Sequence, residues 1–398
     1  MGLIDTIGRL ATRHTHVLVV EVPGWWRLRA AVERAVLARG WSLAVSPADA
    51  DVLVVCGEPG PGMREVVDLV WHEMPGPRVR LDLQEYVDVA RRLEEARLAL
   101  LDDDRHRHDS RDRPTSADLL ADEEEHPDHE HEHMDHGGGH EGMDHGEGHE
   151  HMDHGGGHEH MDHGGGHEHM HHGDMDMSPG GIPLAEGGED RDGLEMDVLN
   201  VRLGPVLPHW PAGLVLRCSL QGDVIVDARA ELVDGPPETT PEASHVAARR
   251  CDNVAALLAL AGWEDASAEA RGMRDALLDE HRPGAHSQAA TSARLDRLQR
   301  RLRRSRVLRW SLRGVRRLSE DDVRRHGLPT HSAGDTYDRL LAMVDRVRSE
   351  ETSVPGLDAG LLPSLVTGLD VATARLVVAS LDLHELHAEH ETHEVSHA

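Results

Sequence analysis

The chain of 398 residues contains no phenylalanine and only two tyrosines, and every one of its 42 basic residues is arginine. The lysine absence reads as coding bias rather than mechanism. Cysteine is scarce too: Cys56, Cys218 and Cys251 are widely separated, so the sequence offers no disulfide framework and no paired cysteines for zinc or an iron–sulfur cluster. No apolar run approaches the roughly 20 residues that span a bilayer. The opening MGLIDTIGRLATRH lacks the apolar core of a secretory signal. A cytoplasmic protein with no transmembrane segment is therefore expected. The net charge of -31 argues against nucleic acid as the principal partner.

What is present falls into blocks. HVLVVEVP (His16–Pro23) and DVLVVCG (Asp51–Gly57) are β-rich runs of buried-strand type, and Trp41–Val45 can be another strand. Leu28, Val32, Val36 and Leu37 recur at helical spacing up to Gly40, and Val66, Val67 and Val70 mark a second helix after the EPGPG loop. Such alternation implies a parallel sheet covered by helices, over about 1–100, with Arg80–Leu100 as a closing helix. Residues 101–193 hold almost no large aliphatics and are expected to be a disordered, acidic and His-rich linker, because they cannot bury enough apolar surface to offset chain entropy. From 194 to 383 the pattern is α+β. Leu214–Leu220 and Val224–Leu232 form a hairpin about Gln221-Gly222-Asp223. Helices follow at Glu242–Trp263, Ala266–Glu280, Ser292–Arg306, Ser319–His326, Asp335–Arg348 and Ala359–Leu381, the last broken near Gly368. Residues 384–398 are a polar tail.

The linker repeats every nine residues, as in HMDHGGGHE, and its ligand types are imidazole and thioether. The candidates are His133, Met134, His136, His140, Met143, His145, His149, His151, Met152, His154, His158, His160, Met161, His163, His167, His169, Met170, His171 and His172. Imidazole suits Zn²⁺, Ni²⁺ and Cu²⁺, and the methionine sulfur favours Cu⁺. Intervening glycines let a short loop wrap an ion. The pattern specifies several equivalent, exchangeable sites for a copper, nickel or zinc ion, which suits buffering or delivery. The competing reading is a linker expanded by repeat slippage, with incidental affinity.

SPADADVLVVCGEPGPGMREVVDLVWHEMPGPR (Ser46–Arg78) resembles the small iron–sulfur subunit of respiratory complex I and the small subunit of nickel–iron hydrogenases, with Asp51, Met63, Met74, Pro75 and Pro77 at matching positions. LGPVLPHWPAGLVLRCSLQGDVIVDARAEL (Leu203–Leu232), LRGVRRLSEDDVRRHGL (Leu312–Leu328), SAGDTYDRLLAMVDRV (Ser332–Val347) and LPSLVTGLDVATARLVVASLDL (Leu362–Leu383) resemble, in order, the quinone-site large subunit of complex I and the related hydrogenase large subunit.

The resemblance implies a flavodoxin-like parallel sheet followed by a mostly helical α+β domain opening on a hairpin. It implies partners among the other subunits of a complex I-like or hydrogenase-like assembly, peripheral at the inner membrane through them. It also points to His209, near the hairpin, as the residue facing quinone. The families' cysteine ligands are missing. Glu21–Trp26 and Leu81–Gln84 stand where cluster ligands would be, so no iron–sulfur cluster is expected and Cys56 reads as a small buried hydrophobe. Asp335, Tyr337 and Arg339 read as a helix start with a satisfied salt bridge. The expected function is an accessory or scaffold relative of NADH-quinone oxidoreductase subunits that has lost its metal ligands. The alternatives are an active quinone-binding redox subunit relying on partner clusters and a copper, nickel or zinc metallochaperone.

Ser292–Arg317 places Leu295, Leu298 and Leu302 on one side and arginines elsewhere. It reads as a helix packed by its leucines, with docking on an acidic partner protein, transient pairing with this chain's own Glu123–Glu125 run, or contact with an anionic membrane surface as sharper possibilities.

Overall fold

A computed structural model describes residues 14–113, 186–189, 195–234, 245–279, 288–349, 351, 356–384 and 386–387. The expected disordered His/Met tract lies outside the described residues. So does most of the polar tail.

The N-terminal part is a parallel sheet of β1 (His16–Glu21), β2 (Ser42–Leu43), β3 (Val52–Cys56) and β4 (Val79–Leu83), in the order β2-β1-β3-β4. The central strand β3 is buried along its whole length, as its unbroken VLVVC run requires of a strand covered on both faces. Alternate residues feed two cores. Val17, Val54, Cys56 and Leu81 pack with α1 (Trp26–Ala38) and α3 (Val89–Ala99). Leu18, Val20, Leu53 and Val55 pack with Met63, Val67 and Val70 of α2 (Pro61–Glu73).

Two expectations are corrected here. The first half of Arg80–Leu100 is not helix. Val79, Leu81 and Leu83 alternate at the two-residue period of a strand and complete the sheet, and the helix begins only at Val89. The disorder expected from residue 101 onward also does not hold for its first stretch. Residues Asp103–Asp112 form helix α4, whose Asp102 cap accepts the backbone N–H of Arg105 at 3.1 Å. None of its side chains is buried. It is held by charge: Asp109 receives Arg78 at 3.2 Å and Arg113 at 2.9 Å, and the Arg78 side chain is itself buried against the end of α2. A search for apolar burial misses a helix anchored by ion pairs.

The C-terminal part opens on an antiparallel sheet of β6 (Glu195–Leu203), β7 (Leu214–Gln221) and β8 (Val224–Leu232), with short β5 (Glu186–Glu189) paired to the edge of β6. The expected hairpin is β7–β8, turning at Gly222 with φ +63°. Its inner face (Leu214, Leu216, Cys218, Ile225) packs on α11 (Leu362–Val366) and α12 (Val371–Ala379), separated at Gly368.

A second core joins α5 (Val246–Leu260), α6 (Glu264–Asp279), α7 (Gln288–Arg304), α8 (Arg306–Leu312) and α10 (Thr336–Arg346). Leu295, Leu298 and Leu302 are the buried stripe anticipated for α7. The capping box anticipated at Ser319 starts α9 (Glu320–Arg325). Short strands β9 (Leu357–Asp358) and β10 (Leu386–His387) pair in parallel. The N- and C-terminal parts pack together as one compact unit. Among the described residues, no helix is long and apolar enough to cross a membrane.

Candidate functional site

Where the two parts meet, a cleft of about 500 Å³ lies between the β1–β2 edge of the parallel sheet, the loop from Pro205 to Ala212, and helices α5 and α6. Its floor is a buried network of charges. Arg29 on α1 is bonded to Glu21 on β1, to Glu33 one turn along α1, and to Asp252 on α5. Arg274 on α6 reaches Glu33 at 2.7 Å, Asp252 at 2.8 Å and its neighbour Asp275 at 2.9 Å. Arg249 completes the set by donating to Asp252 at 3.1 Å while lying over the Trp26 ring.

Burial by itself would raise the Asp252 and Glu33 carboxyls. The surrounding guanidinium groups outweigh that cost and hold both below the usual carboxylate range. Such a network contributes register more than stability, because each ion gives up its hydration to enter it. Here it fixes α1 of the parallel-sheet part against α5 and α6 of the helical part.

The upper wall is the loop before β7. Gly204 has φ +88°, and a side chain there would run into the Leu214 carbonyl and the Trp210 indole. That close approach lets Trp210 Nε1 donate to the Leu214 carbonyl at 2.8 Å. Arg375 on α12 ties the loop down by donating to the Pro208 carbonyl at 2.7 Å. His209 stands between these anchors in the left-handed region, at φ +57°. A non-glycine residue holds that conformation only where its surroundings enforce it, at a cost of about 1 kcal/mol or more. Its side chain lines the cleft and is open to it, and enclosure by protein holds its pKa below the ordinary 6.5. Arg249 and Arg271 also line the cleft, and Nε of each is buried without a hydrogen-bond partner among the described residues.

The cleft can therefore hold a small neutral or anionic molecule between an imidazole and guanidinium edges, with apolar walls from Trp41 and Val206. The structure thus places His209 on the wall of this cleft. It does not bring the cysteines together. Cys56 belongs to one face of the parallel sheet, Cys218 to the antiparallel sheet's core and Cys251 to the helical core. Burial raises all three thiols, that of Cys251 to about 12. Among the described residues no three His, Cys, Asp or Glu side chains are grouped to hold a metal ion. The tract candidates from His133 to His172 lie outside the described residues.

Asp335 caps α10 with a full capping box, and Tyr337 and Arg339 are buried behind it, as a helix start predicts. The expected salt bridge is replaced. Arg339 donates to Ser380, to Thr336 and to the carbonyls of Arg316 and Gly334, and burial without a bound carboxylate lowers its pKa to about 10.

The charge network was missed at the level of sequence. Its signal was there: Arg29 and Glu33 follow Leu28 and Val32 on a helix that the sequence marks as core-facing, and Asp252 precedes Val254 in the same way. Compared with models of known protein families and with curated proteins, the chain matches none.

Proposed function

We propose that this protein is an accessory or scaffold subunit, related to the paired subunits of complex I and hydrogenases but without their metal ligands, and that its His/Met tract handles transition-metal ions. The observation that carries the reading is the placement of the three cysteines, one in each of three separate cores. A cubane cluster needs thiolates converging within a few ångströms, and these thiols instead serve as packing groups. The two folded parts are locked by Arg29, Glu33, Asp252 and Arg274, which suits a rigid docking platform. Metal handling then rests on the imidazoles and thioethers of the tract, whose affinity weakens as pH falls through about 6.5 and imidazole protonates.

Two measurements on the purified full chain test this. Metal analysis after incubation with copper or nickel should find more than a single equivalent, lost when residues 137–172 are deleted. Affinity capture from the native cell should return other subunits of a redox assembly. A visible iron–sulfur absorption band would overturn the reading, and so would metal retention by the deletion variant.

A second reading is favoured by His209. An imidazole carried on a strained backbone position and lining a cleft suits binding of a quinone-like ligand using clusters held by partner subunits. Titration with a short-chain quinone, following tryptophan fluorescence, distinguishes it: saturable binding that His209→Ala abolishes would favour this reading over a passive scaffold.

A further inference from the structure

We propose that the exposed face of α8 is a docking surface for an anionic lipid bilayer, contacted directly by this chain rather than only through partner subunits. Between Arg297 and Arg317 the sequence has ten arginines and no acidic residue, in a chain of net charge -31. The structure shows what this segment does with them. Leu308 and Leu312 of α8 are buried in the helical core. At 3.6 residues per turn, Trp310 falls opposite that pair, and it is 83% exposed. Val307 beside it is 76% exposed, and Arg306 and Arg313 flank the ring on the same outward side.

Several of the segment's arginines are already used within the fold. Arg301 pairs with Glu269, Arg303 pairs with Asp345, Arg309 lies over the Tyr337 ring, and Arg316 donates to the Ser364 carbonyl. Arg304, Arg306, Arg313 and Arg317 have no carboxylate partner among the described residues, and all four are exposed. Unpaired guanidinium groups therefore surround a protruding indole.

The chemistry favours a lipid headgroup layer over other acidic partners. A stable protein interface buries about 800 Å² per partner around a packed apolar centre, and this face offers only Trp310 and Val307 for one. Single-stranded nucleic acid stacks on successive aromatic side chains, and α8 presents one. An indole at headgroup depth with a ring of arginines whose heads reach phosphate is the arrangement of interfacial helices. The charge of the acidic remainder is screened beyond about 8 Å at physiological salt, so contact is governed by the local face.

The test is co-sedimentation of the full chain, with a metal chelator present, using vesicles of phosphatidylcholine containing phosphatidylglycerol and vesicles of phosphatidylcholine alone. Binding is expected only to the anionic vesicles and is expected to fall as salt rises. An arginine near an anionic leaflet contributes about fivefold in affinity, so Arg306→Glu with Arg313→Glu should weaken binding roughly 25-fold or more. Trp310→Ala should weaken it without changing the salt dependence. All three side chains are exposed, so the variants should keep the wild-type thermal midpoint. Absence of binding to anionic vesicles at physiological salt would overturn the proposal, as would binding indifferent to the double reversal. Tighter binding to an RNA oligomer or to an acidic polypeptide through the same residues would overturn it in favour of that polyanion.

Discussion

Arg274 on α6 donates to Glu33 on α1 at 2.7 Å across 241 residues of sequence. The same guanidinium holds Asp252, so it shares two carboxylates buried at the seam with Arg29. Removing it leaves both under-compensated in a site where neither can recover its hydration. Arg274→Ala is expected to destabilise the protein by about 3–5 kcal/mol. Arg217→Ala, which breaks an exposed pair with Glu231, should cost under about 1 kcal/mol. Denaturant unfolding of the two variants checks this, and equal costs would show that the seam is not held by its charges.

A second tie crosses the seam at Asp234. Its carboxylate accepts the backbone N–H of Gly62 at 2.9 Å and of Met63 at 2.7 Å, capping α2 from the other part of the chain. The cap is remote in sequence because α2 begins PGPGM and offers no capping side chain of its own. Gly60 leaves the room it needs: a Cβ there would lie 2.5 Å from the Asp234 carboxyl carbon. Asp234→Ala should cost about 1–2 kcal/mol. Asp234→Asn should recover part of this, since asparagine tolerates the φ of +53° and retains one acceptor. Gly60→Ala should resemble Asp234→Ala in thermal melting.

These ties explain how much could be read beforehand. The strands with unbroken or alternating apolar runs, β1, β3 and β7, were legible because their period is written in the sequence. The Ser319 capping box and the break at Gly368 were legible because both are local. The α4 helix was not, because its anchor, Arg78, lies 31 residues from Asp109 and stabilises it without apolar burial. His209, singled out by its motif, lines the cleft. The arginines around it were not legible, because a charge inside an apolar helical stripe looks like an error until its partner on another helix is known.

Acid titration should separate two buried groups. Burial would raise the Asp382 carboxyl, but His384, Asn253 and Arg250 bring it down to about 2 from an ordinary 3.8. The unfolded chain takes up that proton first, so the stabilisation is complete above about pH 4 and is lost as pH falls toward 2. It amounts to about 2 kcal/mol. His331 loses its charge preference for a different reason: burial, helped by Arg346, lowers its pKa from 6.5 to about 4. The unfolded state again binds the proton first, so stability falls as pH drops from 6.5 to 4, by about 1–3 kcal/mol after allowing for partial exposure. Stability measured against pH should therefore flatten between 6.5 and 4 in His331→Gln and below 4 in Asp382→Asn, the residual slopes coming from His209 and from Glu33 and Asp252. Unchanged profiles would contradict these assignments.

The tract's two ligand types allow the metal to be identified by substitution. Imidazole binds Zn²⁺, Ni²⁺ and Cu²⁺, whereas only Cu⁺ gains much from a thioether. Replacing Met134, Met143, Met152, Met161, Met170, Met175 and Met177 together by leucine keeps side-chain volume and removes every sulfur of the tract. If the tract is built for copper, Cu⁺ affinity should fall while Zn²⁺ and Ni²⁺ affinities stay within about twofold, since the histidines remain. Lowering the pH from 7.5 to 5.5 should release Zn²⁺ and Ni²⁺ through imidazole protonation and release Cu⁺ less, because a thioether has no proton to gain. Competition titrations of the full chain at both pH values give each result directly. Equal Cu⁺ affinity in the leucine variant would mean that the methionines are spacers, and the reading would shift to zinc or nickel held by histidine alone.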